Sequence, residues 1–137
     1  MKKEKIILDT NLWISFIISD KLKTLDYFLK ENKAILLYSS HLLDEIDIVV
    51  KRPKFKKYFT EKNRQLLNVL FQNYGIQIEV NSNLAICRDP KDNFLVNLAI
   101  DGKADFIITG DKDLLVLEKI ENTLIVTFSE FMDKKIK

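Results

Sequence analysis

Thiol and imidazole chemistry is nearly absent from this chain, which contains one cysteine and one histidine. A lone Cys87 cannot form an intramolecular disulfide, so the sequence does not imply an oxidising compartment. A lone His41 excludes a zinc site built from several histidines. The glycine motifs that cradle nucleotide phosphates, G-x-G-x-x-G and G-x-x-x-x-G-K, are also missing. Any metal site in this chain would therefore rely on carboxylate oxygens.

Glycine, proline and long apolar runs are scarce as well. Three glycines and two prolines leave no visible linker, and residues 1–137 are expected to form a single domain, since ~100–200 residues per domain is usual. The longest apolar run, residues 12–18 interrupted by Ser15, is far shorter than the ~20 residues of a membrane span. Too few apolar residues precede Asp9 for a signal peptide, so we expect a cytoplasmic protein that does not contact membranes.

Strand-like and helix-like segments alternate along the chain. Short apolar stretches typical of buried strands occur at residues 6–8, 34–38, 76–80, 105–109 and 124–126. Helical patterns lie between them; Thr10 and Asn11 offer capping side chains to the first helix, and Asp89 before Pro90 is a helix-start signal. This alternation predicts an α/β fold with a parallel sheet and right-handed crossovers.

Four acidic residues occupy corresponding points of separate segments: Asp9, Glu45, Asp92 and Asp111. Asp9 and Asp111 follow strands, whereas the other two lie early in helices. Because the carboxyl ends of parallel strands share one edge of the sheet, we expect the four side chains to converge there. Two carboxylates ~5 Å apart repel by roughly 3 kcal/mol at an effective dielectric of ~20. Such a cluster favours a divalent cation such as Mg²⁺ or Mn²⁺, and with it phosphodiester hydrolysis.

Each acid also has a purely structural explanation. Asp9 can cap the helix that follows it. Glu45 falls roughly 90° from the centre of its helix's apolar stripe at ~100° per residue, so a solvated helix edge explains it equally well. Asp92 lies three positions after Asp89 and can complete a capping-box-like exchange. The residues alone leave these alternatives open.

Two acids follow the fourth expected strand through Gly110, whose missing side chain suits a crowded turn. Asp111 is nearer the strand and is the expected metal ligand, while Asp113 is expected to add a contact through water. With the four ligands covered by metal, the formal charge of the remaining surface would rise from +2 to +6. That charge suits a polyanionic substrate, although +2 is equally consistent with a near-neutral surface.

Residues 51–59 interleave cations with aromatic rings. One interpretation is a substrate surface on which Lys54 and Lys56 contact phosphates while aromatic rings stack on unpaired bases. The alternative, which the pattern favours, is a solvated corner between helices whose Phe side chains pack inward.

Together these motifs resemble the PIN-domain family, and in particular the VapC-like ribonuclease toxins of prokaryotic toxin–antitoxin pairs. The resemblance covers about residues 5–132. Its blocks are residues 7–11 (ILDTN), 40–46 (SHLLDEI), 52–55 (RPKF), 87–93 (CRDPKDN) and 109–115 (TGDKDLL). Each block alone is weak, but the combination is specific.

The resemblance implies a three-layer α/β/α sandwich with a five-stranded parallel sheet of order 3-2-1-4-5. It implies metal ligands at Asp9, Glu45, Asp92 and Asp111, with Asn11 supporting the first Asp at the substrate side. It further implies Mg²⁺ or Mn²⁺ as cofactor and endonucleolytic cleavage of RNA. A cognate antitoxin protein and a homodimer are the partners that it implies.

Two other functions compete with metal-dependent RNA cleavage. One is a PIN fold that binds RNA or an antitoxin without cutting, against which the intact acidic set argues. The other is a phosphohydrolase or phospho-acceptor with Asp9 as nucleophile. That chemistry usually has a second Asp two positions on, where this chain has Asn11.

Overall fold

The computed structural model describes residues 3–136, with the side chains of residues 3–133. Residues 1, 2 and 137, which the expected single domain includes, lie outside the described range. Strands β1 to β6 are Lys5–Leu8, Ile35–Tyr38, Gly75–Gln77, Phe106–Ile108, Lys119–Ile120 and Thr123–Val126. Helices α1 to α8 are Thr10–Ile18, Leu22–Asn32, Ser40–Val50, Pro53–Lys56, Glu61–Tyr74, Asn93–Gly102, Lys112–Leu115 and Phe128–Ile136. A 3-10 turn, Pro90–Asp92, precedes α6.

The described strands form one sheet of order β3-β2-β1-β4-β6-β5. Its first four pairings are parallel, which confirms the predicted α/β class and the predicted order of the parallel strands. The predicted count of five strands is wrong by one, because the two-residue strand β5 pairs antiparallel with β6 at the sheet edge. A two-residue loop joins them, and Glu121 in that loop has a φ of 50°. Positive φ is the backbone geometry that tight hairpin turns require.

Strand β1 lies between β2 and β4, so successive strands are added to one side of β1 up to β3 and to the other side from β4 onward. Right-handed crossovers on both sides of such a point place helices on both faces of the sheet. Leu8 pairs with Ile108 in this register, so the residues that follow β1 and β4 are neighbours. The Asp9 amide donates to the Ile108 carbonyl (3.2 Å). A switch point of this kind is where open α/β sheets bind ligands.

The buried core surrounds the central strands. Ile6 and Ile7 of β1 are fully buried, as are most side chains that α1, α3 and α6 turn toward the sheet. Trp13 of α1 packs against Phe71 of α5 with ring centroids 4.9 Å apart. Within the described residues, no helix has both the length and the apolar character needed to cross a bilayer.

Strand β3 is shorter than the predicted residues 76–80, because regular pairing ends at Gln77. The following residues, 78–86, have no regular secondary structure, and their backbone groups need other partners. The Ile78 amide still bonds to the sheet, because it donates to the Tyr38 carbonyl of β2 (2.8 Å). The remaining partners are side chains of helix α6.

Three side chains spaced four positions apart on α6, Asn93, Asn97 and Asp101, hold this segment. Asn97 binds both backbone groups of Leu84, accepting from its N–H at 2.8 Å and donating to its carbonyl at 3.2 Å. Asn93 Oδ1 accepts from the Cys87 amide (3.0 Å). The Asp101 carboxylate accepts from two further amides of the segment (2.6 and 2.8 Å). Residues four apart lie on one helix face, so the side chains of one face of α6 bind backbone groups of this segment.

Helix α1 begins one position earlier than the predicted caps Thr10 and Asn11 would allow. Asp9 is its N-cap, with an extended backbone (φ −69°, ψ 164°), and Asp9 Oδ1 accepts from the Leu12 amide at 2.7 Å. Thr10 is therefore already helical. The position of the Asp9 carboxylate is therefore fixed by its role as the N-cap of α1.

Candidate active site

A cavity of about 240 Å³ lies where β1 and β4 end. Its lining includes all four acids of the sequence prediction, namely Asp9, Glu45, Asp92 and Asp111. Asn11, predicted to lie beside Asp9, also lines it and is exposed. We call this cavity the acid pocket. The four acids come from four separate segments of the chain, but of these only Asp92 belongs to the described group of three acids whose oxygens lie within 4.8 Å of one another.

Asp9 is the most buried of the four, with 4% of its surface exposed. Its Oδ1 accepts from Leu12 N, and its Oδ2 accepts from the hydroxyl of Thr109. Burial raises the pKa of Asp9 above its usual value, although the hydrogen bonds from Thr109 and Leu12 oppose that rise. The charge of Asp111 adds to the rise. Asp9 thus combines the helix-cap role with a position in the pocket.

Thr109 links two of the site acids. Its buried hydroxyl donates to Asp9 and accepts from the amide of Asp111 at 2.9 Å. Asp111 in turn caps α7, because its Oδ1 accepts from the Asp113 amide at 2.9 Å. One hydroxyl therefore fixes the spacing between the acid after β1 and the acid after β4.

Asp92 does not complete a capping box. It ends the 3-10 turn that Asp89 caps by accepting from the Lys91 amide (3.1 Å), and its own side chain makes no capping hydrogen bond. The α-helix begins after it, at Asn93. Of the two explanations for Asp92 that the sequence left open, the capping role is therefore not the one observed.

The Asp92 carboxylate is held in an unfavourable environment. Its Oδ2 is shielded from solvent and finds no donor among the described residues. Desolvation, followed by its interactions with Asp111 and then the charges of Asp89 and Asp113, raises the pKa of Asp92 from 3.8 to about 7. Two carboxylates can hydrogen-bond only by sharing a proton, so a bound cation or proton would relieve this repulsion.

Asp113 and Asp89 approach Asp92 from the other side. One oxygen each from Asp89, Asp92 and Asp113 lie within 4.8 Å of one another, close enough for joint contact with a metal ion. Arg88 forms an ion pair with Asp113 at 2.9 Å and so neutralises part of this charge. The expected metal contact of Asp113 stays a prediction. Asp89, which the sequence assigned to capping alone, both caps and joins the cluster.

Glu45 lies in the second turn of α3, half-buried, on the wall of the acid pocket. Among the described residues it makes no hydrogen bond or ion pair. Its carboxylate is therefore available to a ligand. This position on the pocket wall distinguishes Glu45 from its neighbour Asp44, which is exposed and does not line the pocket.

The charge in the acid pocket is unbalanced. Five carboxylates line it against two cations, Arg52 and Lys91. Carboxylates crowded into a half-buried cavity favour an added cation or retained protons. All-oxygen ligands of this kind suit Mg²⁺ or Mn²⁺, and the buried oxygen of Asp92 without a donor is the clearest place for one. The residues present therefore fit a divalent metal.

The lysines predicted to bind substrate lie elsewhere. Lys54 and Lys56 are exposed on α4 and are not among the residues that line the acid pocket. The Lys54 ammonium lies 5.4 Å from the centroid of the Phe55 ring, and both Phe55 and Phe59 pack against the core. This arrangement matches the alternative in which the Phe side chains of the stretch pack inward.

Two other residues of the sequence analysis have ordinary surroundings. Gly110 has no positive φ, and a Cβ added there would meet no atom within 4 Å, so the expected crowded turn is wrong. Cys87 is half-buried, and desolvation, with the charge of Asp92 next, raises its pKa to about 11. A thiol with so high a pKa is a poor nucleophile near neutral pH.

Comparison with known proteins agrees with this geometry. A family model of the PIN domain matches residues 5–113, which include all of the acids described above. The chain belongs to the PIN domain family. PIN domains are generally nucleases that typically use divalent metals, and this one has a cluster of acids, Asp89, Asp92 and Asp113, that could bind one. This PIN domain is also 39% identical over 120 residues to an uncharacterized protein of Methanocaldococcus jannaschii, MJ1680, covering 84% of this chain and 76% of the relative.

Sequence reasoning missed several residues that line this PIN domain's pocket or hold its acids. Asp89 was hidden by its capping signal, and Thr109 gave no signal because a Thr ending a strand is common. The cations of the pocket are Arg52 and Lys91. Arg52 was considered only as part of the cationic stretch 51–59, and Lys91 had no assigned role. Their roles become visible only when the segments are placed together.

Proposed function

We propose that this protein is a metal-dependent endoribonuclease that hydrolyses RNA phosphodiester bonds. The observation that supports this most directly is the convergence of four acids from four segments on one pocket. The buried Asp92 oxygen without a donor adds to it, because it marks a place where a cation would be stabilised. Membership of a family of nucleases is consistent with both.

Mg²⁺ or Mn²⁺ would be held by Asp9, Glu45, Asp92 and Asp111, with Asp113 in contact through water. When bound, such an ion activates water and neutralises charge on the phosphate. The chain itself supplies the rest. Thr109 and Leu12 orient the Asp9 carboxylate.

Arg52 and Lys91, the two cations of the pocket, are placed to contact the phosphates of the bound strand. Asn11, exposed next to Asp9, would support the substrate at the same edge. Neither contact requires Lys54 or Lys56, which become candidates for more distant phosphates of a longer RNA.

The decisive experiment replaces Asp9 by Asn. Asn is as good an N-cap as Asp, so α1 should persist and the fold should survive. Cleavage of a labelled single-stranded RNA with Mg²⁺ or Mn²⁺ should fall by about 100-fold or more, because the charge that holds the cation is lost. Circular dichroism reports the fold, and gel analysis reports cleavage and its suppression by EDTA.

A matched pair on α3 tests the pocket wall. Glu45→Gln removes a charge from the acid pocket, whereas Asp44→Asn removes one from the exposed neighbouring position. Only the first should lower metal-dependent cleavage. Full activity of Asp9→Asn and Glu45→Gln, or equal loss in Glu45→Gln and Asp44→Asn, would refute the assignment of the pocket.

A second function, RNA or antitoxin binding without cleavage, uses the same fold. Binding of RNA by the wild-type protein with no metal-dependent product, at any tested concentration of Mg²⁺ or Mn²⁺, would favour it. The unneutralised acids of the pocket support the nuclease instead, since a surface that only binds RNA gains nothing from concentrated negative charge.

We further propose that the protein is the toxin of a toxin–antitoxin pair, acts as a homodimer and is inhibited by a cognate antitoxin. The support is the resemblance of its motifs to VapC-like toxins. Growth arrest on induced expression, relieved by co-expression of the product of a small adjacent gene, tests the toxin role. Light scattering of the purified protein tests the dimer.

A further inference from the structure

A second cavity adjoins the acid pocket. It is a groove of about 1050 Å³ between the start of α3, the end of β3 and the segment that α6 holds. Three residues line both cavities, namely Glu45, Lys91 and Phe94, so the two cavities are next to each other. We call the larger cavity the side groove. A single RNA strand with one phosphate at the acid pocket would have a neighbouring nucleotide at this groove.

Two aromatic rings are stacked at the wall of the side groove. His41 and Phe94 lie parallel, with centroids 4.1 Å apart and planes inclined by 4°. Phe94 is half-buried, while His41 is exposed even though Phe94 covers one of its faces. A flat ligand that stacked on the opposite face of the exposed His41 ring would continue the stack. Nucleobases stack on aromatic side chains in this way when they are unpaired.

The charge of the side groove distinguishes a base from a phosphate. Glu45 and Glu79 line it against a single cation, Lys91, which lies at the junction with the acid pocket. A phosphate is therefore disfavoured inside the groove, and the lining cation that could bind one lies at the junction, where Glu45 also lies. The remaining lining is mostly neutral and polar, and it includes hydroxyl and amide groups that suit base edges: Ser40, Gln77 and Asn83.

The outer wall of the groove is preformed. Asn97 holds Leu84 through both of its backbone groups, and Asp101 holds the chain at Ser82. Five hydrogen bonds, including one from Ser82 Oγ, join this wall to side chains of α6. The wall therefore does not have to be ordered when a ligand binds. Preorganisation of this kind lowers the entropic cost of binding.

We propose that the side groove is a nucleobase subsite, in which an unpaired base next to the scissile phosphate stacks on His41. The sugar–phosphate backbone passes Lys91 between this base and the acid pocket. The position of the scissile phosphate in this inference rests on the proposed nuclease function, whereas the stacking of a base on His41 does not depend on it. It identifies the substrate as RNA that is single-stranded at this nucleotide, because a paired base is unavailable to the His41 ring.

The direct test uses short single-stranded oligoribonucleotides that carry 2-aminopurine at successive positions. Binding is measured in the Asp9→Asn background, in which the RNA stays intact, by quenching of the 2-aminopurine fluorescence. One position should be quenched strongly. Adding His41→Ala should abolish that quenching and weaken binding by about 5- to 150-fold, the factor that corresponds to the usual stacking energy of ~1–3 kcal/mol per base.

Two further variants control for general effects. His41→Tyr keeps an aromatic face and should retain both quenching and affinity. Tyr27→Ala removes an aromatic ring that is 66% exposed on α2 and lines neither cavity, so it should change nothing. Quenching that persists in His41→Ala, or its absence at every position, would overturn the proposal.

A cleavage assay separates this proposal from the nuclease assignment. An abasic nucleotide at the quenched position should lower kcat/KM in the wild-type protein and have little further effect in His41→Ala, because the two changes remove the same contact. If the wild-type protein does not cut RNA at all, the nuclease assignment fails while the quenching result still decides the base subsite. If cleavage proceeds but the abasic change costs the same in both proteins, the base subsite fails alone.

Discussion

Replacing Asp92 by Asn should stabilise the metal-free protein and weaken its response to metal. Asp92 carries a solvent-shielded oxygen that finds no donor, beside three other acids that raise its pKa. Asn has nearly the same shape without the charge, and its amide nitrogen can donate to a neighbouring carboxylate. The change therefore removes the repulsion that a cation would otherwise remove.

The size of the effect follows from the shift in pKa. A rise from 3.8 to about 7 corresponds to about 4 kcal/mol for a group shielded from water. Half-exposure of the Asp92 side chain allows solvent to screen much of this, so we expect about 1–2 kcal/mol. For a domain of this size, that raises the melting temperature by about 3–8 °C at pH 8.

The pH dependence of stability independently predicts whether Asp92→Asn stabilises or destabilises the protein. Because the pKa of Asp92 is higher in the folded than in the unfolded chain, the folded state binds this proton more tightly. Its penalty is absent below the unfolded value of 3.8, grows as the pH rises, and is complete above about 7. The gain from Asp92→Asn should therefore be largest at pH 8 and nearly vanish at pH 4.

Thermal unfolding with and without Mg²⁺ or Mn²⁺ is the assay. Saturating metal at 100 times its Kd stabilises a folded protein by about 2.7 kcal/mol, and this increment should be much smaller in Asp92→Asn than in the wild type. Asp44→Asn serves as the control, since Asp44 is an exposed acid outside the pocket. A lower melting temperature of Asp92→Asn at pH 8, together with an unchanged metal increment, would refute the reasoning.

Two further predictions concern the supports of the site and the sheet. Thr109→Val deletes the hydroxyl that joins Asp9 to Asp111 and should lower the free energy of unfolding by about 1–3 kcal/mol. Thr109→Ser keeps the hydroxyl and should retain the wild-type stability. Equal denaturant midpoints for the two variants would contradict this. Gly75→Ala should destabilise by about 1–3 kcal/mol, because its Cβ would meet the Phe71 carbonyl at 2.4 Å. Gly110→Ala should be neutral or stabilise by about 0.4–1 kcal/mol, since nothing lies within 4 Å; calorimetry that ranked these two the other way would be inconsistent with the backbone geometry.

The acid pocket shows where sequence reasoning stops. Patterns of apolar residues located Asp9 and Asp111 after strands, because burial of short strands is a local property of composition. They did not decide between capping and ligand roles for Asp92, since both roles use the same residue at the same place in a helix. The structure excludes the capping role, because Asp89 accepts from the Lys91 amide and the Asp92 side chain makes no capping hydrogen bond; the ligand role stays a prediction.

The α/β class and the placement of Asp9 and Asp111 directly after strands follow from the residue pattern of the sequence, whereas the order of the parallel strands came from the resemblance to the PIN-domain family. Alternating periods of apolar residues fix which segments become strands and helices, and right-handed crossovers leave few ways to join them. Only the tertiary structure decided the bond between Thr109 and Asp9, the approach of Asp89 to Asp113, and the His41–Phe94 stack. Thr109 and Asp9 are 100 positions apart, and the geometry of such a contact depends on packing between elements, which no local pattern records.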